Sequence, residues 1–382
     1  MKFSFFMMPI HHPSENPALA FQRDISFIHL ADELGFDEFL IGEHHSGGWE
    51  TMPTPEIALA MAAAQAKRIR LGTSVINLPF HHPYQVAERI AFLDHLTQGR
   101  AILGIGPSNL VTDKQLFQIP QDKLYPMMEE SAELIVRFLE SPEPFDHDGE
   151  FWQFKEMRLQ LRSYQSPRLP LAIASVTGTH AVLDLAARHE MIVMSGTGKN
   201  IQVPLTDNWA RVELAAQAAG KKADRDNWRL ATAIYLAETR DQAWADVEEG
   251  IMREAEYFSS VGLTATYREY PDQPFSEFTP QSCVDRRDWI VGTPDDAIAW
   301  IERYLEITGG FGGLMLTTHE WTDTPHLRHS LELFARYVMP RFRGHNATFV
   351  DEWDRLKARV AESGTGEMPL NVTAEKNNLN SG

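Results

Sequence analysis

A single cysteine, Cys283, stands among 382 residues. It excludes an intramolecular disulfide and any metal cage built from several thiolates. Positive charge is also scarce: 35 lysines and arginines face 53 aspartates and glutamates, a formal net charge of −18. Such a surface repels phosphate backbones and anionic lipid, so neither nucleic acid nor a membrane surface is an expected partner. The acidity is spread along the chain and reads as solubility. No apolar run approaches the ~20 residues that a membrane span needs. Met1-Lys2-Phe3-Ser4-Phe5 lacks the apolar core and cleavage site of a secretory leader, so the cytoplasm is the expected location. No Gly-x-Gly-x-x-Gly sits on a strand–helix junction, no Walker loop is present, and there is no His-x-His.

What is present is a rhythm. Three histidine pairs, His11-His12, His44-His45 and His81-His82, each follow an apolar run that reads as a strand: Phe3–Met8, Glu38–Ile41 and Leu71–Leu78. Further runs follow at Ala101–Gly106, Leu171–Ser175, Met191–Ser195, Trp228–Ala237 and Leu314–Thr318. Helical spacing of apolar residues fills the gaps, as in Pro17–Leu34 with Gly35 as its stop. Thr293-Pro294 opens another helix, with threonine as cap and proline at the first helical position.

Eight strands alternating with helices predict an α/β fold, a (β/α)8 TIM barrel. The single barrel domain is expected over 1–345, with insertions near 140–168 and 261–287. A surface helix and polar tail are expected over 346–382. Residues 261–287 show no period and carry Tyr267, Tyr270, Phe275 and Phe278, so they are expected to form a mobile covering loop.

Strand ends of such a barrel converge on one mouth, which carries the chemistry. The six paired histidines would then ring one cavity. Adjacent residues on a strand point to opposite faces, so only one of each pair can face it easily. His44 is the expected catalytic histidine, and His45 is expected to point away and serve packing. The same alternation argues against a binuclear metal site, and no metal is expected, although three single histidines could hold one zinc. Ser175-Val176-Thr177-Gly178-Thr179 opens a helix with small residues, which suits an anion at a helix N-terminus. A simple cap by Thr179 reads equally well from the residues.

Glu43-His44-His45, Leu71-Gly72-Thr73, Leu78-Pro79, His82-Pro83, Ala87-Glu88, Leu93-Asp94, Gly99-Arg100, Gly104-Ile105-Gly106 and Val291-Gly292-Thr293-Pro294-Asp295 together resemble the bacterial luciferase-like flavin monooxygenases over roughly residues 2–340. Ile41-Gly42-Glu43-His44-His45-Ser46 and Leu93-Asp94-His95-Leu96-Thr97 are most similar to the limonene monooxygenase branch. The run from Trp49-Glu50 to Pro55-Glu56 is similar to the diketocamphane monooxygenases.

The resemblance implies a two-component enzyme. Reduced FMN would come from a separate flavin reductase, and O2 would oxygenate a small apolar ketone, aldehyde or terpene-like substrate. It implies that His44 lies beside the flavin and that Ser74–Val75 is a non-proline cis peptide against the ring, with Asn77 following it in the cofactor site. It places Gly106 where luciferase carries a reactive cysteine, and Thr177, Gly178 and Thr179, with Ser175 and Val176, on the phosphate. Ser195 would end strand 6 beside the ring. Pro107 stands where luciferase has a phosphate-gripping arginine, a departure that leaves the phosphate's counter-charge open. Met8, His11, Phe80, His82, Leu110 and Met194 are the expected substrate pocket, and a homodimer is expected. The other readings are a deazaflavin-dependent oxidoreductase on the same fold, a mononuclear metal hydrolase and a non-catalytic flavin-binding protein.

Overall fold

The computed structural model describes residues 1–175, 178–198, 204–263, 267–270 and 272–363. The chain begins with β1 (Lys2–Met7), α1 (Pro17–Leu34), β2 (Glu38–Ile41), α2 (Pro55–Ala63), β3 (Arg70–Thr73), β4 (Ile76–Asn77), α3 (Pro83–Leu96) and β5 (Ala101–Gly106). It continues through α4 (Val111–Phe117), α5 (Gln121–Glu140), β6 (Phe145–Asp148), β7 (Gln153–Met157), β8 (Leu171–Ser175), α6 (His180–Arg188) and β9 (Ile192–Gly196). Then come α7 (Leu205–Ala218), β10 (Trp228–Leu236), α8 (Arg240–Ser260), α9 (Pro280–Arg287), β11 (Ile290–Gly292), α10 (Pro294–Thr308), β12 (Gly313–Thr318) and α11 (Thr324–Leu333). Met1–Val338 forms one compact unit. Met339–Gly382 forms a second, which contains α12 (Met339–Arg343) and α13 (Ala347–Ser363).

The helix ends follow local chemistry. Asn16 caps α1 by accepting the Ala18 N–H, Pro17 takes the first turn, and Gly35 closes the helix at φ 82°. Thr293 and Asp296 form a reciprocal capping box at the start of α10.

Eight parallel strands close the barrel in the order β1, β2, β3, β5, β8, β9, β10, β12 and back to β1. Pairings such as Met7 with Ile41, Ile41 with Thr73 and Ser175 with Ser195 bring the strand ends to one level. Leu40, Ile102, Ala172, Ile192, Met194 and Met315 fill the interior, with Phe6, Val75, Ala174 and Ala231 packed on them. At the other end of the barrel the buried Arg229 guanidinium grips the Glu38 carboxylate at 2.8 and 3.0 Å, and Ser4 donates to the same carboxylate. Conservative barrel logic assigns that end to stability and the opposite end to chemistry.

Two expectations change, at the third strand and in the segment 261–287, whereas the insertion near 140–168 has the turns and short strands expected of it. The expected strand Leu71–Leu78 is two pieces. β3 stops at Thr73, the Ser74–Val75 peptide is cis, and β4 pairs Ile76 and Asn77 with Ile105 and Gly106 before a 3-10 turn at Leu78–Phe80. Apolar residues run through the break, so hydrophobicity alone reads one strand. The insertion near 140–168 holds the β6–β7 antiparallel hairpin. The described part of the segment 261–287 is not structureless: Thr279 boxes the start of α9, and Tyr267, Phe278, Cys283 and Val284 are buried, whereas residues 264–266 and 271 lie outside the described residues. The helix is short and mostly polar, so it shows no period. Its Thr279-Pro280 start is nevertheless the same signal as Thr293-Pro294.

Candidate active site

His44 follows β2 and stands between two carboxylates. Its Nδ1 lies 3.0 Å from Asp113 Oδ2, and its Nε2 lies 2.9 Å from Glu50 Oε2. Each carboxylate is fixed by its own element. Asp113 sits in the first turn of α4, where the helix dipole favours a negative charge, and accepts the His45 N–H and the Ser46 hydroxyl. Glu50 is held by a bridge of its backbone to Ile10, just beyond β1. Tyr257, from the last turns of α8, donates to Glu50 Oε1 at 3.2 Å and stacks on Trp49.

Burial opposes charge on the His44 ring, but Glu50 and Asp113 outweigh it and raise its pKa to about 10. Burial pushes the Asp113 carboxyl up, and the hydrogen bonds from His44 and Ser46 bring it below its ordinary value. Near neutral pH the pair is therefore an imidazolium against a carboxylate. His44 is a proton donor there rather than a base.

His45 turns the other way, as strand alternation requires, but it does more than pack. Its Nε2 meets Glu43 Oε1 at 2.9 Å, and His81 reaches Glu43 at 3.0 Å. Donor atoms of Glu43, His45 and His81 lie within 4.8 Å of one another, so these residues could hold a metal ion. Glu43-x-His45 has the same i, i+2 spacing as His-x-His, with a carboxylate in place of one ring. The cluster is already satisfied internally: burial raises the Glu43 pKa, and bonds from His45 and His81 bring it below the usual value. Asn77 also donates to the Glu43 carbonyl at 3.0 Å.

The histidines do not ring one cavity. His11 is buried against Asp24 and Thr51, turned toward α1. His12 is exposed, with its ring edge on Trp49. His82 packs on Trp152 and Phe154 of the hairpin insertion. His11 and His82 thus leave the expected substrate pocket, because the helix and the hairpin supply partners that no strand pattern announces.

The remaining expected residues fall into two groups. Near the cis peptide, Ser74 donates to Met194 Sδ at 3.6 Å, and the Val75 side chain lies against Gly106. A β-carbon at Gly106 would stand 2.6 Å from Val75 Cγ2, so a larger residue there would require Val75 to shift. Ser195 is buried, and its hydroxyl accepts the Trp228 indole N–H at 3.0 Å. Phe80 stacks on Phe117, Leu110 is buried, and Met8 packs on the cluster around Tyr257. The second group is the turn after β8. Ser175 ends the strand, Gly178 has φ 68°, and Thr179 is the N-cap position of α6. Val176 and Thr177 lie outside the described residues.

Sequence reasoning missed Asp113 and Tyr257 and gave Glu50 no role. No local pattern marks a carboxylate about 70 positions away as a histidine's partner. A cleft of about 480 Å³ along α5, lined by Glu133, Arg137, Glu140, His147 and His189, carries none of these groups. The barrel mouth is the better candidate because the paired charges, the cis peptide and the strand ends coincide there.

The family model for luciferase-like monooxygenases matches residues 1–310. The 4-hydroxyprotoasukamycin monooxygenase of Streptomyces nodosus subsp. asukaensis is 35% identical, over 90% of this chain and 93% of its own. Limonene 1,2-monooxygenase of Rhodococcus erythropolis is 34% identical, over 98% of this chain and 96% of its own. The oxygenating constituent of 3,6-diketocamphane monooxygenase from Pseudomonas putida, solved in complex with FMN, superposes with a TM-score of 0.76 at 25% identity. That match covers 89% of this chain and 98% of the other.

Proposed function

The chain belongs to the luciferase-like monooxygenase family, and we propose that it is the oxygenase of a two-component system. In this reading a separate flavin reductase supplies reduced FMN, and O2 oxygenates a small apolar ketone, aldehyde or terpene-like compound. The observation that carries it is His44, held as a cation between Glu50 and Asp113 just past the end of β2, the strand that pairs with β3, after which the cis Ser74–Val75 peptide follows. The relatives that act on limonene and diketocamphane support an apolar substrate, and the FMN complex of the diketocamphane enzyme supports the flavin.

The residues present suit that cofactor. The Val75 side chain packs on Gly106 and offers an apolar surface that suits a flat ring. The α6 N-terminus suits a phosphate, and the Ser175 hydroxyl at the end of the preceding strand is buried without a partner among the described residues. When bound, reduced FMN supplies the electrons that activate O2. His44 donates a proton at the mouth, Asp113 orients it through Nδ1, and Glu50 holds the charge on Nε2. Phe6, Val75 and Met194 make an apolar wall that keeps water from the reacting centre.

The reading predicts that the protein binds photoreduced FMN anaerobically and, on admission of ¹⁸O2 with a cyclic terpenoid ketone or olefin, places one ¹⁸O atom in the product. Hydride transfer from a reduced deazaflavin without O2 uptake would favour the alternative oxidoreductase.

A homodimer is part of the proposal. Ile57 and Met61 on α2 and Phe92 and Leu96 on α3, each one helical turn apart, are 70, 64, 55 and 46% exposed. The two helices are neighbours, so these residues form an apolar strip that a second copy would cover. Light scattering is expected to give about twice the 43.4 kDa chain mass. Charged replacements at Met61 and Phe92 are expected to return it to one.

A further inference from the structure

Helix α7 turns one polar side chain, Asn208, against Gly178 in the turn after β8. Asn208 is 1% exposed, and neither its amide nitrogen nor its amide oxygen has a hydrogen-bond partner among the described residues. A β-carbon built on Gly178 would stand 2.2 Å from Asn208 Oδ1, so the amide lies directly against the backbone of that turn. The Ser175 hydroxyl at the other end of the turn is 3% exposed and equally unpartnered. Gly178 and Thr179 lead straight into the nine-residue helix α6.

Buried polar groups without partners are rare in folded chains, because each forfeits its water bonds for nothing. One of them, Asn208, lies against Gly178 just before the α6 N-terminus, where helix N–H groups and the helix dipole favour an anion. An amide is the side chain suited to such a place. It can donate to a phosphate oxygen or a backbone carbonyl and accept from a backbone N–H, with no net charge to bury.

We propose that Asn208 is the positioning residue of the cofactor's phosphate site: its amide holds the Gly178 turn and gains its hydrogen bonds when a phosphate dianion occupies the α6 N-terminus. The inference rests on the reading that reduced FMN binds with its phosphate there. It makes the ligand-free protein carry a local defect that the cofactor repairs. Removing the amide should therefore relieve the empty protein and harm only the phosphate-bearing ligand.

Asn208→Leu keeps the branched shape and removes the polar atoms. The test measures anaerobic binding of photoreduced FMN and of photoreduced riboflavin, which lacks the phosphate, together with the melting temperature without ligand. The expected result is ~10-fold weaker binding of FMN, about the worth of one hydrogen bond to a charged group. Riboflavin binding is expected to stay unchanged and the melting temperature not to fall. Ser175→Ala, which removes one hydroxyl and adds no bulk, is expected to lower the FMN-to-riboflavin preference in the same direction by less. A wild-type preference for FMN that survives intact in Asn208→Leu overturns the proposal and leaves the phosphate reading standing. Equal weakening of both flavins with a lower melting temperature also overturns it, since that marks a structural role only. A wild type that binds riboflavin as tightly as FMN overturns the phosphate reading and this proposal together.

Discussion

His44→Ala is expected to keep the fold and bind reduced flavin but lose product formation by ~100-fold or more, with the oxygen it consumes appearing as hydrogen peroxide. The side chain ends β2 at the barrel mouth, and both ring nitrogens are committed to carboxylates. Burial alone would drive the ring neutral. Glu50 and Asp113 more than offset it and hold the pKa at about 10, so the ring carries a transferable proton throughout the neutral range. Product formation that depends on this proton is expected to hold between about pH 6 and 9 and to fall as pH rises through about 10. Asp113→Asn removes one of the two charges and is expected to move that limb to lower pH. The same raised pKa contributes to stability below the ordinary histidine value and loses that contribution as pH climbs through about 10. His45→Ala removes a partner of Glu43 instead and is expected to act mainly on stability. Equal product per flavin in His44→Ala and wild type would assign the proton to another group, of which Tyr257 on Glu50 is next in reach.

Glu38→Ala is expected to cost about 3–5 kcal/mol of folding stability, because it leaves the Arg229 guanidinium buried without its counter-charge. Both groups lie at the end of the barrel away from the mouth, so the folded fraction should turn over at the wild-type rate. Burial pushes the Glu38 carboxyl up, but Arg229, with Ser4 and Lys2, holds it down at about 2. A depressed carboxyl contributes stability that is complete above its unfolded value near 4.5. That contribution disappears as pH falls through about 2. Chemical denaturation at pH 7 reads the first effect, and acid unfolding of wild type against a Glu38→Met/Arg229→Met pair reads the second. The apolar pair is expected to regain most of the loss. A single-variant loss below about 1 kcal/mol would mean that water reaches Arg229 once the carboxylate is gone.

The barrel was legible because its signals are local and repeated. Strand runs such as Ala101–Gly106 and Leu171–Ser175, and the helix signals Pro17 to Gly35 and Thr293-Pro294, recur with the period of the βα unit. Helix α9 was missed because eight mostly polar residues bury only Cys283 and Val284 and so carry no period. His11 and His82 were misplaced for a different reason. Being next to a strand end fixes where a backbone lies, but the direction of a ring depends on partners such as Asp24 and Trp152, contributed by other elements.

The amino-acid sequence by itself determined the fold, the family and the position of His44 at a strand end, since each depends on neighbours within a few residues or on the order of motifs. Tertiary structure decided what His44 is. Asp113 lies 69 residues away and Glu50 on a loop tied to β1, and only closure of the barrel brings both charges onto one imidazole and makes it a cation. It also decided that Asn208 meets Gly178, a contact made by packing α7 against the turn before α6 and invisible in either segment alone. Electrostatic energy depends on distance through space, and sequence records only distance along the chain.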